Sequence, residues 1–449
     1  AAQLSGPRAL AVDAAARRLY VADTNNHAVR CVDLVSGLIS TAAGVLGSGG
    51  LAGDAVPAAL APLYFPYGVE VHAGAQRLYV AEPYNHAVRV VDLATGELTT
   101  LAGVLGAPGL SGDGGPAIAA HLHFPSGLAL DPSAEQLFVA DAGNDVIRMV
   151  DLSSGEVFTV VGAAGAGTLG RAGLAVDVQL RFPTAVAVDP AGLRLFVAEQ
   201  GGHAVRAVEL AARATAGALG TLGDAGFEGP GGAQLRSPRA VAVDDGRWVY
   251  AADTSNHVVR ALNFSTGEVT TVAGVPGARG CGAEPAAQGL LPLAGLAGSA
   301  AGFPLAGARY LWSQGGRGAP LAHNASVLAG RPEEPAIEVG GAPGQTYLDQ
   351  PSGLALDVTT SELYVADTGN HAVHRVHLPT GALAAVAGSP CTPGASGDGG
   401  PATAAQLRSP QGLALDAAGG ALYVADAGNH AIRLLDVASG TLSTAAGVL

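Results

Sequence analysis

Residues 422–436 read LYVADAGNHAIRLLD, and six close copies of this stretch precede it in the chain. Each copy has two apolar, β-branched or aromatic runs around a short polar turn with Asn or Gly at its apex, which is the pattern of a β-hairpin. The hairpins recur at a regular spacing, so the sequence predicts a repeat fold whose function depends on what the repeats present. The six earlier copies end at Asp33, Asp92, Asp151, Glu209, Asn263 and His377.

Each repeat opens with a proline and a short apolar strand, as in PSGLALD at residues 125–131. In that third repeat the pattern predicts four strands, at 127–131, 136–141, 146–152 and 157–161, with no amphipathic helix between them. Four short strands in a repeat of roughly 60 residues predict radially arranged sheets, which is the all-β architecture of a β-propeller with four-stranded blades. The openings lie at Pro7, Pro66, Pro125, Pro183, Pro238, Pro351 and Pro410.

The interval between Pro238 and Pro351 is nearly twice as long as the others. We interpret it as holding a degenerate sixth repeat that starts near Pro292, because RYLWSQGG at residues 309–316 resembles RLFVAEQGG at residues 194–202. This interpretation predicts eight repeats. The alternative is seven blades plus a long insertion, although structureless loops of that length are uncommon in compact domains.

Both chain ends carry pieces of the same connecting sequence. AAQL at the start matches residues 404–407, and AAGVL at the end resembles LAGVL at residues 101–105. Either the first and last blades meet there and close the ring, or the sequence is an excerpt of a longer chain; we favour the excerpt. In both cases we expect residues 1–449 to form a single propeller.

The composition suits a folded repeat array and not a nucleic-acid-binding surface. Hydrophobic residues make up 49% of the chain and charged residues 13%, so there is ample material for a core. The net charge is −14, and the arginines are spread along the repeats. Such a surface repels phosphate backbones, so we expect no nucleic-acid partner. No run of about 18 apolar residues appears, so we expect no membrane insertion in this segment.

Two features bear on the compartment. The three cysteines, Cys31, Cys281 and Cys391, lack the spacing of a zinc site. Cys281 and Cys391 both fall in connections between repeats and could form a disulfide in an oxidising compartment. Asn263 and Asn324 each begin an Asn-x-Ser sequon, which is a glycosylation site if the chain is secreted. Together these features favour an extracellular location only slightly.

The repeats resemble the NHL repeat, in the form found in large secreted and surface proteins. The resemblance rests on the P-x-G-L-A-L-D openings, the LYVAD-x-x-N-H-x-V-R hairpins, the T-T-L-A-G closing strands and the SGDGGPA linkers at residues 111–117 and 396–402. It implies a β-propeller, commonly six-bladed, that serves mostly as a binding platform for proteins, and in some relatives binds RNA or acts as an enzyme. The larger repeat number and the lack of a basic face depart from that pattern.

The Asp-x-x-Asn-His turn of each repeat is interpreted as structural. A carboxylate at the start of a turn can accept backbone N–H groups, and Asn tolerates the left-handed conformation at its end. The arginine three residues after the histidine predicts ion pairs between blades or a polar lining of the axis. The turn residues are Asp23, Asn26, His27, Arg30, Asp141, Asn144, Asp253, Asn256, His257, Arg260, Asp367, Asn370, His371, Asp426, Asn429, His430 and Arg433, with Glu82 and Glu199 in the acidic slot of two other repeats.

Two metal-dependent alternatives remain open. The repeat histidines occupy one slot of successive blades, so they favour a hydrogen bond to the next blade's turn over a shared zinc ion. A metal-dependent lyase or hydrolase with its site at the axis is the first alternative, and no catalytic or metal-ligating residue stands out for it. Each SGDGG linker offers a single carboxylate, too few for a strong calcium site, so a calcium-dependent adhesion module is the second.

We expect a non-catalytic scaffold that binds protein partners within a larger secreted, cell-surface or ciliary assembly. Uniform repeats, an acidic surface and the lack of catalytic spacing favour this function over an enzyme. The degenerate sixth repeat is the predicted contact surface, because it need not follow the repeat rule and because aromatic side chains are enriched at interface cores. The candidate contact residues are Tyr310, Trp312 and Tyr347.

Overall fold

The computed structural model shows a closed ring of β-sheets. It describes residues 3–162, 180–210, 235–244, 248–263, 269–275, 326–329, 347–416 and 420–449. Within these residues the strands form seven sheets and no α-helix occurs. The first long strand of each sheet contacts its counterpart in the next sheet, and that of the last sheet contacts that of the first. The described residues therefore form a seven-bladed β-propeller, with these inner strands around the axis.

The blades are numbered in chain order. Blade 1 contains β1 (Pro7–Asp13), β2 (Arg18–Asp23), β3 (Ala28–Asp33) and β4 (Ile39–Gly44); blade 2 contains β5 (Val56–Pro57), β6 (Val69–His72), β7 (Arg77–Glu82), β8 (Ala87–Asp92) and β9 (Glu97–Ala102); blade 3 contains β10 (Gly115–Pro116), β11 (Pro125–Leu130), β12 (Gln136–Asp141), β13 (Val146–Asp151) and β14 (Glu156–Val161).

Blade 4 is the one blade whose described strands are not consecutive in the chain. It begins with β15 (Pro183–Val188), β16 (Arg194–Glu199) and β17 (Ala204–Glu209); blade 5 follows with β18 (Ala240–Val243), β19 (Trp248–Asp253), β20 (Val258–Asn263) and β21 (Val269–Ala273); β22 (Ser326–Ala329) then returns to blade 4. Blade 6 contains β23 (Pro351–Asp357), β24 (Glu362–Asp367), β25 (Ala372–His377) and β26 (Ala382–Ala387); blade 7 contains β27 (Gly400–Pro401), β28 (Pro410–Asp416), β29 (Ala421–Asp426), β30 (Ala431–Asp436) and β31 (Thr441–Gly447).

The repeated hairpin closes through a short turn with a left-handed last residue. In blade 1, β2 and β3 pair antiparallel up to Asp23 and Ala28. A single 3-10 turn at Thr24–Asn26 joins them, and His27, which ends it, has φ 56°. The same slot has positive φ in every other blade, at His86, Asp145, His203, His257, His371 and His430. The other described 3-10 turns are Ala58–Leu60, Pro83–Asn85, Ala117–Ala119, Ala142–Asn144, Thr254–Asn256, Ala402–Ala404 and Ala427–Asn429.

The core lies between neighbouring blades and not within any one of them. Leu19 and Val21 of blade 1 are fully buried in one cluster with Tyr423 and Ile432 of blade 7. Burying a Leu or Val side chain stabilises a fold by about 1.5–3 kcal/mol, and here the burial exists only because another blade covers the sheet. This cluster also closes the ring between the first and last blades.

The prediction of eight repeats is wrong for the described residues, which fit the seven-bladed alternative. The inner strand of blade 5 directly contacts that of blade 6, so no further blade lies between them. Most of the expected sixth repeat lies outside the described residues, but β22 pairs with β17, with Val205 opposite Ala329. The outer edge of β17 presents unpaired backbone groups, which β22 satisfies as the fourth strand of blade 4. In the third repeat the four expected strands match β11 to β14 to within two residues.

Candidate functional site: an aromatic face on blades 2 to 4

The acidic residue that starts each hairpin turn is buried and holds three groups. In blade 1, Asp23 accepts the backbone N–H of Ser5 at 2.6 Å and the Asn26 side-chain amide at 2.9 Å. The guanidinium of Arg30 lies 3.7 Å from the same carboxylate. Burial raises the pKa of this carboxyl in several blades, to about 7 at Glu82 and about 6 at Asp253. The turn thus fixes the segment that precedes its own blade.

The histidine of each turn connects one blade to the next. The Nδ1 atom of His27 accepts the backbone N–H of Phe65 at 3.2 Å, and that of His430 accepts Gly6 at 3.1 Å across the ring closure. Blade 3 achieves the same contact with Asp145, which accepts the N–H of Phe182. Burial lowers the pKa of His27, so the ring is neutral at pH 7 and can accept. The corresponding contacts join His86 to Phe124, His203 to Ser237, His257 to Gln350 and His371 to Ser409.

The repeat arginines pair with the turn acids and with the aspartates of the linkers. In blade 7, Arg433 lies 3.5 Å from Asp426 and 3.3 Å from Asp398, and Asp398 also accepts the hydroxyl of Thr444. Asp54 and Asp113, the linker acids of blades 2 and 3, pair with the arginine of their own blade in the same way. Blade 6 replaces the arginine with His374, 3.1 Å from Asp367. No group of three His, Cys, Asp or Glu side chains in the described ranges is arranged to hold a metal ion.

An exposed cluster of aromatic rings covers one end of blades 2, 3 and 4. We call this the aromatic face; it consists of Tyr64, Phe65, Tyr67, Tyr84, Phe124 and Phe182. Tyr84 lies at its centre, with ring centroids 5.6 Å from Tyr64 and 5.1 Å from Phe124. Tyr84 is 45% exposed and Phe182 41% exposed, so the rings present a contiguous apolar surface to solvent. Such patches on soluble proteins mark sites of interaction.

Three of these rings stand at positions with unfavourable backbone geometry. Phe65, Phe124 and Phe182 have φ of 48°, 58° and 46°, in the left-handed region that disfavours residues with a Cβ atom. Blade 1 has Gly6 in this slot. Ser237, Gln350 and Ser409 have the same left-handed backbone in blades 5, 6 and 7, so this conformation belongs to the fold, and the fold does not require an aromatic residue in the slot.

Of the three contact residues predicted from the sequence, only Tyr347 lies among the described residues. Tyr310 and Trp312 lie outside the described residues. Tyr347 precedes blade 6, where its carbonyl accepts the Asn370 side-chain amide at 2.7 Å, as Gly109 does for Asn144 in blade 3. Tyr347 therefore lies in the segment that precedes the first strand of a blade and makes the backbone contact that is repeated in blade 3. The aromatic face could have been found by aligning the repeats and noting Phe and Tyr in slots that elsewhere hold Gly, Ser or Gln.

The remaining predicted sites are only partly described. Cys391 is disulfide-bonded and Cys31 is a free thiol, whereas Cys281 lies outside the described residues. Asn263 ends β20, opposite Trp248. Asn324 lies outside the described residues.

Two family models match the chain. The model described as "Teneurin NHL domain" matches residues 345–448, and that described as "NHL repeat" matches residues 4–32. NHL repeat-containing protein 2 of Gallus gallus is 29% identical over 279 residues, which are 55% of this chain and 38% of that protein. Protein SUPPRESSOR OF QUENCHING 1, chloroplastic, of Arabidopsis thaliana is 27% identical over 60% of this chain and 26% of its own length. The chain thus spans well under half the length of these relatives.

Solved structures of other propellers share the fold. Hydrazine synthase of Kuenenia stuttgartiensis superposes with a TM-score of 0.52 at 13% identity, covering 96% of both chains. Streptogramin B lyase superposes with a TM-score of 0.50 at 10% identity, covering 95% of this chain and 92% of the lyase. Identities this low show a shared fold alone. Among the described residues no helix is long and apolar enough to cross a membrane. The repeated hairpins and the ring of blades agree with these matches, so the chain is similar to NHL-repeat β-propellers.

Proposed function

We propose that this propeller is a non-catalytic scaffold that binds a protein partner through the aromatic face. The observation that carries the proposal is the exposed cluster around Tyr84, which joins three blades. Tyrosine and phenylalanine supply a large contact area at low cost in side-chain entropy and dominate the centres of protein interfaces. NHL propellers commonly mediate protein interactions, which supports the same conclusion.

The charge of the chain supports a protein partner over a nucleic acid. A net charge of −14 repels a phosphate backbone, and the repeat arginines that could oppose it are already paired with carboxylates. We place the scaffold in a secreted or cell-surface assembly, with a ciliary assembly as the alternative. The disulfide at Cys391 supports an oxidising compartment, since disulfides persist mainly in secreted and extracellular proteins.

The metal-dependent alternatives have no observation in their favour among the described residues. Each repeat histidine named above contacts the backbone of the next blade, so these rings do not converge on the axis. The linker aspartates, which are the candidate calcium ligands, already face an arginine and a threonine. Stoichiometric zinc or calcium in protein purified without chelator would reopen these alternatives.

Site-specific photo-crosslinking tests the proposed interface. A photoreactive phenylalanine is placed at position 84 or 182 of the full chain, and at Val35 as a control, because Val35 is 81% exposed outside the aromatic face. We expect positions 84 and 182 to capture the same protein from an extract of the source organism and Val35 not to capture it. The double variant Tyr84→Ala, Phe124→Ala should weaken binding of the identified protein about tenfold or more. Equal capture at all three positions would contradict the proposal.

A further inference from the structure

Seven side chains surround one end of the axial channel. Each follows the proline that opens its blade: Arg8, Tyr67, Ser126, Thr184, Arg239, Ser352 and Gln411. Three pairs of consecutive members are in contact. The hydroxyl of Ser126 donates to the carbonyl of Thr184 at 3.4 Å, that of Ser352 donates to Gln411 at 3.4 Å, and the guanidinium of Arg8 lies 4.5 Å from the Tyr67 ring centroid. We call this ring the channel mouth.

The channel mouth carries two positive charges and no negative charge of its own. Arg8 and Arg239 are exposed, and neither forms an ion pair within the described residues. They come from blades 1 and 5, on opposite sides of the ring. Partial burial of Arg239 and the positive charge of Arg8 both lower the pKa of Arg239, as expected for two like charges in one ring.

This arrangement is the opposite of that of the repeat arginines. Arg30, Arg148 and Arg260, which represent the repeat slot, each have a carboxylate within 4.0 Å. In a chain with net charge −14, carboxylates are abundant, yet none lies against Arg8 or Arg239 in the described ranges. Two like charges in one ring destabilise the free protein, and an anion placed between them removes that repulsion.

We infer that the channel mouth binds an oxyanion, a carboxylate or a phosphate group, between Arg8 and Arg239. A planar guanidinium donates two parallel hydrogen bonds to such a group, and the side-chain amide of Gln411 offers a further donor in the same ring. The cation–π contact with Tyr67 orients Arg8 and connects the channel mouth to the aromatic face, because Tyr67 also contacts Phe124 at 6.0 Å. The inference does not depend on the proposed protein partner.

Calorimetric titration of the full chain with succinate and with inorganic phosphate, in separate arms, tests the inference and distinguishes the two groups. We expect one anion to bind with one-to-one stoichiometry. Charge-assisted hydrogen bonds predict that Arg239→Gln and Arg8→Gln each weaken this binding by about tenfold or more. The control is Arg408→Gln, which removes the same charge from an exposed position beside blade 7 and should leave the dissociation constant unchanged.

Three results would overturn the inference. They are no binding of either anion to the unaltered protein, equal weakening by Arg408→Gln, and unchanged binding by both channel-mouth variants. Arg8→Gln guards against misfolding as an explanation, because Arg8 is exposed and its one described contact is with the Tyr67 ring. A second readout is the melting temperature without anion. Arg239→Gln should raise it, because the variant removes one of the two repelling charges.

Discussion

Blades 2 and 7 have the same backbone and different surfaces. Both carry the turn acid, the Asn, the left-handed His and the Arg, at Glu82 to Arg89 in blade 2 and Asp426 to Arg433 in blade 7. In other slots of the repeat, blade 2 has Tyr64, Phe65, Tyr67, Glu70 and Tyr84 where blade 7 has Arg408, Ser409, Gln411, Ala414 and Gly428. The two blades show that the repeat consists of two independent sets of positions.

One set of positions holds the ring together and the other is free to vary. The turn acid, Asn and Arg are buried in both blades or nearly so, and their partners are backbone groups and carboxylates of the same repeat. The varied slots face the end of the propeller and the axis, where a new side chain does not disturb the contact between blades.

The largest effect is expected from the shared acid. Asp426→Ala removes the acceptor for the Arg408 N–H and for the Asn429 amide, and leaves Arg433 buried without its inner carboxylate. We expect the free energy of unfolding to fall by about 3–5 kcal/mol, as for other broken buried ion pairs. Glu82→Ala in blade 2 should cost a similar amount, measured by urea unfolding at pH 8. Asp436→Ala, at an exposed hairpin acid, is the control and should cost far less. A large difference between Glu82→Ala and Asp426→Ala would show that the two blades do not share this framework.

The second prediction concerns Glu70, which occupies a slot that is Ala414 in blade 7. Glu70 lies on an inner strand, and neither a hydrogen bond nor an ion pair reaches it within the described residues. Burial raises its pKa from 4.5 to about 7, so its ionised form is disfavoured in the folded protein. The folded state then binds more protons than the unfolded state between these two pH values, and stability falls as pH rises through this window.

Glu70→Ala should remove that loss. We expect the free energy of unfolding of the variant, relative to that of the unaltered protein, to rise by about 1–3 kcal/mol between pH 4.5 and pH 8. This rise should be complete above pH 7. The reverse change in blade 7, Ala414→Glu, should make the free energy of unfolding fall as the pH rises through the same range. Denaturant unfolding at several pH values measures both. A pH-independent difference would mean that Glu70 is hydrated or paired in solution.

The fold was predictable from the sequence because the same strand and hairpin pattern recurs in each repeat. The hairpin signal recurs at seven places, and the proline-led strands appear at the observed positions, as at Pro125 and Pro410. The blade number was not predictable. The local sequence pattern identifies a strand, but the sheet that the strand joins depends on which strand edge is unpaired in the folded protein. Residues 326–329 pair with β17, far away in the sequence, and no local pattern encodes that partner.

The candidate site was harder to predict than the fold. The turn acid, histidine and arginine are easily recognised because they recur in the repeats. Their recurrence marks a structural role, since they hold the ring together, and does not mark the candidate site. Tyr84 and Phe182 differ from the repeat and so were not recognised by a search for motifs. Their convergence on one face depends on the order of blades around the axis, since Phe124 and Phe182 come from adjacent blades and lie 6.2 Å apart.

The smallest effect is expected at Phe182, where two substitutions distinguish the contribution of the backbone conformation from that of the aromatic ring. Phe182 has φ 46°, where blade 1 has Gly6 at φ 54°, so a Cβ atom is strained at this position. Phe182→Ala keeps that strain and loses the ring, whereas Phe182→Gly relieves it. We expect the Gly variant to be more stable than the Ala variant by about 1 kcal/mol in urea unfolding, although glycine gains more chain entropy on unfolding. Both variants should lose contact with the partner to the same extent. An Ala variant more stable than the Gly variant would show that the left-handed backbone carries no strain at this position.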